Sequence, residues 1–275
     1  MPEDTQPKGE GRPPRPVLLT GASGALGRVL ARELSAKGWT LRLTDIAPFP
    51  DPVPPGAAFE AADLADREAI ARLAEGCCAI LHFGGVSVEK PFDEVLGPNI
   101  AGLYNIYEAA RAAGARVIFA SSNHTIGFHA RSTTIDPDSP FRPDGYYGVS
   151  KVFGEMLGRL YWHKHGVESV LVRIGSSFPE PVDARMLATW LSYPDLVRLC
   201  ERAVLAPETR CSVIWGASSN SRMTWWEGDA RELIGWAPEN SADGYADKVG
   251  DKTSGDPVVE AHQGGAYVKM GWTRA

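Results

Sequence analysis

No block of lysines and arginines stands out in this chain of net charge −6, so its charge gives no reason to meet nucleic acid or an anionic membrane. No apolar run approaches the ~18 residues that a membrane span needs. Cysteine is scarce. Cys77 and Cys78 are adjacent, Cys200 and Cys211 stand apart, and no histidine cluster completes a zinc set, so no metal site is expected. The four are read as free thiols of a reducing cytoplasm. The N-terminal residues are polar and proline-rich, unlike a secretory signal.

What is present suffices for a full core. The chain has 275 residues, 44% of them hydrophobic, which suits one α/β domain. Residues 1–15 hold prolines and almost no apolar side chains and are expected to form a mobile tail. Residues 16–275 are expected to be a single domain, with substrate-binding elements mainly in 176–240. A buried-strand pattern, Pro16 to Thr20, runs into Gly21-Ala22-Ser23-Gly24-Ala25-Leu26-Gly27 and then an amphipathic stretch from Arg28 to Lys37, which Gly38 ends. In a strand–turn–helix setting three such glycines allow a tight turn, the approach of backbone N–H groups to a pyrophosphate, and close helix–strand packing. A dinucleotide is therefore expected across residues 21–27, Ser23, Ala25 and Leu26 included; a purely structural turn is the competing reading.

The next strand, Thr40 to Thr44, ends at Asp45, 18 residues after Gly27. A carboxylate there accepts from ribose hydroxyls and repels a 2′-phosphate, which favours NAD over NADP, unless it is merely a loop acid or helix cap. Five prolines between Ala47 and Gly56 mark a loop. Asp63-Leu64 follows a third strand near Ala58–Ala62. Asp63 suits either an adenine amino group or the N-cap of a helix over Arg67–Glu75. Further strands are expected at Cys78–Phe83, Val117–Ala120, Ser169–Gly175 and Ser212–Gly216. Helices are expected at Asn99–Ala113, from Tyr147 to His165, at Asp195–Leu205 and at Trp225–Gly235. Trp215, Trp225, Trp226 and Trp236 read as core. The pattern fades from Ala242, and the last residues are expected to dock loosely or run extended. The alternation of strands and helices implies a Rossmann-type, doubly wound parallel sheet.

One stretch carries chemistry. Tyr147 and Lys151, four apart, share a helix face. A phenol with a pKa of about 10 is a poor base at neutral pH, and an ammonium one turn away is expected to lower it. Such a pair can take a proton from an alcohol. Ser87, Ser122, Asn123, His124 and Ser176 all fall just past strand ends, where short hydroxyl and amide groups suit a polyol. His124 is read as a hydrogen-bonding group rather than the base, because Tyr147 fills that position. His82, before a glycine turn, is read as structural. Arg185 is the arginine of a proline-broken segment after the sixth strand; its guanidinium suits a carboxylate, with a surface salt bridge as the alternative.

Thr20-Gly-x-x-Gly-x-x-Gly27, Asp63-Leu64, a serine ahead of Tyr-x-x-x-Lys and the doubly wound pattern resemble an extended-type short-chain dehydrogenase/reductase over roughly residues 16–240. Within that group five blocks resemble the uronate dehydrogenase family: Gly84 to Phe92, Phe119 to Gly127, Arg142 to Glu155, Arg173-Ile-Gly-Ser176 and Arg185-Met-Leu-Ala-Thr-Trp190. The resemblance implies oxidation of glucuronate and galacturonate at C1 with NAD, giving an aldarolactone. It implies a Ser122–Tyr147–Lys151 catalytic set, with Lys151 also on the nicotinamide ribose. The chain departs from the family in its N-terminal tail, at His129-Ala130-Arg131-Ser132 and in its last forty or so residues. A small uronic acid is the expected partner and a homo-oligomer the expected state, the latter by analogy of fold. A nucleotide-sugar epimerase or dehydratase is the alternative enzyme. It usually needs a larger C-terminal part, and no basic pair for a diphosphate is evident. A non-catalytic dinucleotide sensor would not need Tyr147, Lys151 and Ser122 together.

Overall fold

Val17-Leu18-Leu19-Thr20 is buried at every residue, which only a strand covered on both faces achieves. In the computed structural model, which describes residues 11–271, this is β1 (Val17–Thr20), an interior strand of a seven-stranded sheet. The others are β2 (Leu41–Asp45), β3 (Ala57–Ala61), β4 (Ala79–His82), β5 (Arg116–Ser122), β6 (Ser169–Ile174) and β7 (Cys211–Gly216). Their order is β3-β2-β1-β4-β5-β6-β7, and every pair is parallel. The helices are α1 (Ala25–Ala36), α2 (Arg67–Ala74), α3 (Phe92–Val95), α4 (Gly102–Ala113), α5 (Tyr146–His165), α6 (Met186–Thr189), α7 (Tyr193–Leu205), α8 (Ala246–Val249) and α9 (Pro257–Ala261). Val17 and Leu19 face a layer holding Leu30 and Leu34 of α1 with Leu196 and Leu199 of α7. Leu18 faces the opposite layer, with Ile70 of α2, Ile106 of α4 and Leu157 of α5. The chain order reverses between β1 and β4, the place where a doubly wound sheet opens a crevice at its carboxyl edge. Thr20 pairs with His82, His82 with Phe119, and Ser122 with Ile174, so the ends of β1, β4, β5 and β6 reach that edge together. No helix among the described residues is long and apolar enough to cross a membrane.

Several elements differ from the sequence expectation. β5 runs on through Ser121 and Ser122, because β6 extends far enough to pair them. The expected helix start at Asn99 is a π-helical turn, Leu96–Ala101, leading into α4. Trp225–Gly235 holds no α-helix. Ile135 accepts from Glu227 N and donates to Trp225 O, which draws the chain out, and Gly228 turns at φ +51°. Only a 3₁₀ turn, Arg231–Ile234, remains. The four tryptophans are buried as expected. Residues 1–10 of the expected tail lie outside the described residues. Gly11 already touches the domain, its carbonyl accepting from Trp39 Nε1 at 3.1 Å. The C-terminal segment is not loosely docked. Gln263 N donates to His129 O and Gly264 N to Gly127 O, both at 2.9 Å. The Arg131 guanidinium donates to the carbonyls of Val259 and His262 and to Glu260.

Candidate active site

The turn after β1 is built for close approach. Gly21 has φ +70°, and a Cβ there would fall 2.4 Å from the backbone of Phe83. A Cβ on Gly27 would fall 2.1 Å from Gly21 O, so α1 can lie against the turn only without a side chain. Gly24 caps α1 with no side-chain bond, and its first turn carries no acid. The N–H groups at Ala25, Leu26 and Gly27 thus lack intrahelical partners at a positive dipole end, which is a cradle for phosphate. Asp45, ending β2, is held beside it: its carboxylate accepts from Ser23 N (3.0 Å) and Ala47 N (3.2 Å). Leu64 is buried at the other side of the crevice, its carbonyl pinned by Asn105 Nδ2 at 2.8 Å. Asp63 does not cap α2. Asp66 does, through Ala69 N, while exposed Asp63 accepts from Ala65 N. These residues fit a dinucleotide: a bare glycine turn for the pyrophosphate and an acid for a ribose.

The expected catalytic trio, Ser122, Tyr147 and Lys151, meets beyond β5. Tyr147, in the first turn of α5, is buried and hydrogen-bonds Ser122. Lys151 Nζ lies 5.5 Å from the centre of the Tyr147 ring and 4.9 Å from that of Phe119, and it donates to Ala120 O at 2.7 Å. The expected lowering of the Tyr147 pKa does not occur. Burial pushes the phenol up, against a smaller pull down from the Ser122 hydroxyl, with Tyr267 and Asp144 adding to the rise. Burial also pushes Lys151 down to about 8, so the ammonium that was to stabilise a phenolate is itself disfavoured. His82 sits beneath them. It bonds Thr20 Oγ1 at 2.7 Å, and burial, helped by the Lys151 charge, pushes it down to about 3, as suits a structural, neutral ring.

The polar residues gather on the far side. Asn123, with its amide turned to satisfy both neighbours, donates to Ile174 O at 3.1 Å and accepts from Arg185 Nη2. Arg185 also donates through Nη1 to Ser176 Oγ (3.2 Å) and through Nε to Gln263 O (2.7 Å). Burial pushes this guanidinium down to about 10, and no carboxylate forms an ion pair with it among the described residues. A surface salt bridge is therefore not its role. Ser176 shares a hydrogen bond with Thr189 as well. Ser87 stands apart: it is exposed on the loop after β4, and its hydroxyl bonds no described protein group.

Four residues here had no role in the sequence reading. Glu89 accepts from the backbone N–H of both Tyr146 and Tyr147, each at 2.9 Å, and so caps α5 from 57 positions away. Asp144, inside the family-like block Arg142 to Glu155, bonds His124 Nδ1 at 2.8 Å. Gln263 and Tyr267 come from the stretch where the pattern fades. Tyr267 stacks on His124, ring centres 3.7 Å apart. The Glu89 signal was present, as an acid inside one of the family-like blocks; nothing local marked Tyr267.

Residues 17–192 match the NAD dependent epimerase/dehydratase family. The chain is 49% identical over 259 residues to the uronate dehydrogenase of Pseudomonas syringae pv. tomato, spanning 93% of this chain and 94% of that one. Among solved structures it is similar to uronate dehydrogenase from Agrobacterium tumefaciens, a tyrosine-to-alanine variant complexed with NAD. Identity is 47%, the TM-score 0.87, and 93% of this chain and 97% of that one are covered. Glucuronic acid dehydrogenase from Chromohalobacter salexigens is 44% identical with a TM-score of 0.87, over 92% of this chain and 96% of that one.

Proposed function

The chain belongs to the NAD dependent epimerase/dehydratase family and, within it, to the uronate dehydrogenases, and we propose that it oxidises the C1 hemiacetal of hexuronic acids, glucuronate and galacturonate, to the aldarolactone with NAD. The observation that carries the carboxylate half is Arg185. A guanidinium has five N–H donors. Asn123, Ser176 and Gln263 take one each, all neutral acceptors. The two donors left and the missing counter-charge suit a bidentate carboxylate. A neutral sugar offers neither.

The glycine turn at 21–27, with Asp45, holds the dinucleotide, and Asp63 and Leu64 flank its adenine end. When bound, NAD supplies the acceptor for the C1 hydride. Ser122 holds the C1 oxygen by a hydrogen bond. Tyr147 takes the C1 hydroxyl proton. Lys151 keeps two of its three N–H donors after Ala120 O, enough to bond a ribose and still bring positive charge near the phenol. With the ring oxygen on C1, the oxidised carbon is a lactone carbonyl. Arg185 fixes the opposite end of the sugar and so the face that C1 presents, while Ser87, Asn123, His124 and Ser176 meet its hydroxyls.

The homo-oligomeric state belongs to the same reading. Tyr146, Val149, Met156 and Leu160 are exposed apolar side chains on α5 at helical spacing, and Tyr104 is exposed on the neighbouring α4. Such a stripe suits burial against a second copy. All four cysteines are free, as suits the cytoplasm. Incubation with NAD and glucuronate, galacturonate or glucose tests the assignment. NADH absorbance should rise with the uronates alone; a rise with glucose, or with none, would overturn it.

A further inference from the structure

We propose that Asp144 is a positioning residue that fixes His124 as a hydrogen-bond acceptor for one particular sugar hydroxyl, and so sets which sugars the site accepts. The inference rests on the uronate reading above. His124 Nδ1 lies 2.8 Å from Asp144 Oδ2. Facing a carboxylate oxygen, Nδ1 carries the proton, and the neutral tautomer that this selects keeps its lone pair on Nε2. The ring is held against turning. Tyr267 stacks on one side at 20° between planes, and Tyr147 meets it at 63°, centres 5.8 Å apart. The backbone is held as well: His124 N donates to Ser122 Oγ at 3.1 Å, and Asp144 N to His124 O at 3.3 Å. Nε2 bonds no described protein group. It belongs to a ring held between Tyr267 and the catalytic Tyr147, one position after the Asn123 that bonds Arg185.

The carboxylate is built in at some cost. Its side chain is 0% exposed, and Oδ1 has no hydrogen-bond partner. Its walls include the backbones of Gly127 and Gly264, where a Cβ would fall 1.9 and 2.0 Å from Oδ2. Burying a carboxylate is unfavourable unless a partner offsets it. His124 is its one side-chain partner among the described residues, so what the carboxylate supplies is the orientation and tautomer of that ring. An acceptor fixed in this way discriminates. A sugar that lacks the matching hydroxyl leaves Nε2 unpaired, whereas a mobile or wrongly protonated ring does not tell the two apart.

Two measurements on the full chain test this. The first is the nitrogen NMR spectrum of ¹⁵N-histidine-labelled protein at mildly alkaline pH, with the His124 signals identified by their loss in His124→Gln. The Nδ1-protonated tautomer is expected in the wild type; the Nε2-protonated tautomer would overturn the proposal, whatever the enzyme's activity. The second compares kcat/KM for a hexuronate and its 2-, 3- and 4-deoxy analogues in the wild type and in Asp144→Asn. The wild type should lose about 10-fold or more on one analogue. Asp144→Asn should lose a similar factor on the parent sugar and no longer separate it from that analogue. Wild-type discrimination kept intact in Asp144→Asn would refute the positioning role. If Asp144→Asn fails to fold, the wild-type spectrum still decides. Absence of turnover with any uronate by the wild type would instead count against the uronate reading itself.

Discussion

In the proposed mechanism Tyr147 accepts a proton in surroundings that keep the phenol protonated. Burial raises its pKa, and the Lys151 ammonium, its own pKa lowered to about 8, does not reverse this. The positive charge of a bound oxidised nicotinamide would favour the phenolate. If Tyr147 is the base, Tyr147→Phe should lower kcat ~10²–10⁴-fold while NAD still binds, as quenching of tryptophan fluorescence would report. Near-normal turnover would remove Tyr147 from the role. Lys151 gives a second test. Below about pH 8 the folded and unfolded chains both carry its proton, and the full cost of the buried cation is present. Between about 8 and 10.5 only the folded chain has released it, so this group's contribution to stability rises with pH. Lys151→Met should therefore raise Tm most below pH 8, with the gain shrinking toward pH 10.5, as thermal melts across that range would show. The Tyr147 shift has the opposite sense: its contribution falls with pH above about 10, where the unfolded chain loses the proton first. For Arg185, substitution by Lys keeps the charge but loses the fork. KM for uronates should rise about 10-fold or more while KM for NAD stays unchanged.

At the level of single elements, much of the site could be read before folding. The strand–glycine turn–helix at 17–36 and the strand ending at Asp45 are local patterns, and local periodicity reports them. Gly21 and Gly27 were legible because backbone approach demands glycine. What closes α5 was not legible. Its N-terminus carries no capping side chain of its own, and the cap is Glu89 on the loop after β4. Only the packing of that loop against the helix makes the pair. The same loop holds Ser87, and Asn99 pins its Val86 while also bonding Ser150 of α5. Glu89→Ala should cost ~1 kcal/mol of stability, as loss of an N-cap does. Because Tyr147 sits in that first turn, kcat should fall more than KM rises. Chemical denaturation and steady-state kinetics check both.

Over the whole molecule, the two stretches that depart from the family pattern turn out to touch. His129 to Arg131 and the C-terminal segment pair at Ala130 and His262, and Arg131 ties down three residues of that segment. Sequence patterning cannot show this, because neither stretch has a strong period and 129 positions separate Arg131 from Glu260. Through this docking Gln263 reaches Arg185 and Tyr267 reaches His124, so in the proposed reading the substrate side includes residues beyond 176–240. Arg131→Ala should raise amide exchange across residues 257–269 and raise KM for the sugar, leaving exchange in the β1–α1 turn unchanged. An unaltered C-terminal exchange pattern would show that other contacts hold the segment.

In the proposed reaction C1 of a hexuronate loses its hydride to NAD and becomes a lactone carbon. Glucuronate deuterated at C1 tests it most directly, with the cofactor and sugar recovered and their masses read. NADH one mass unit heavier is expected, together with a sugar product that has lost the deuterium and shows a lactone carbonyl. Deuterium kept in the sugar with no NADH released, as an epimerase would give, would contradict it.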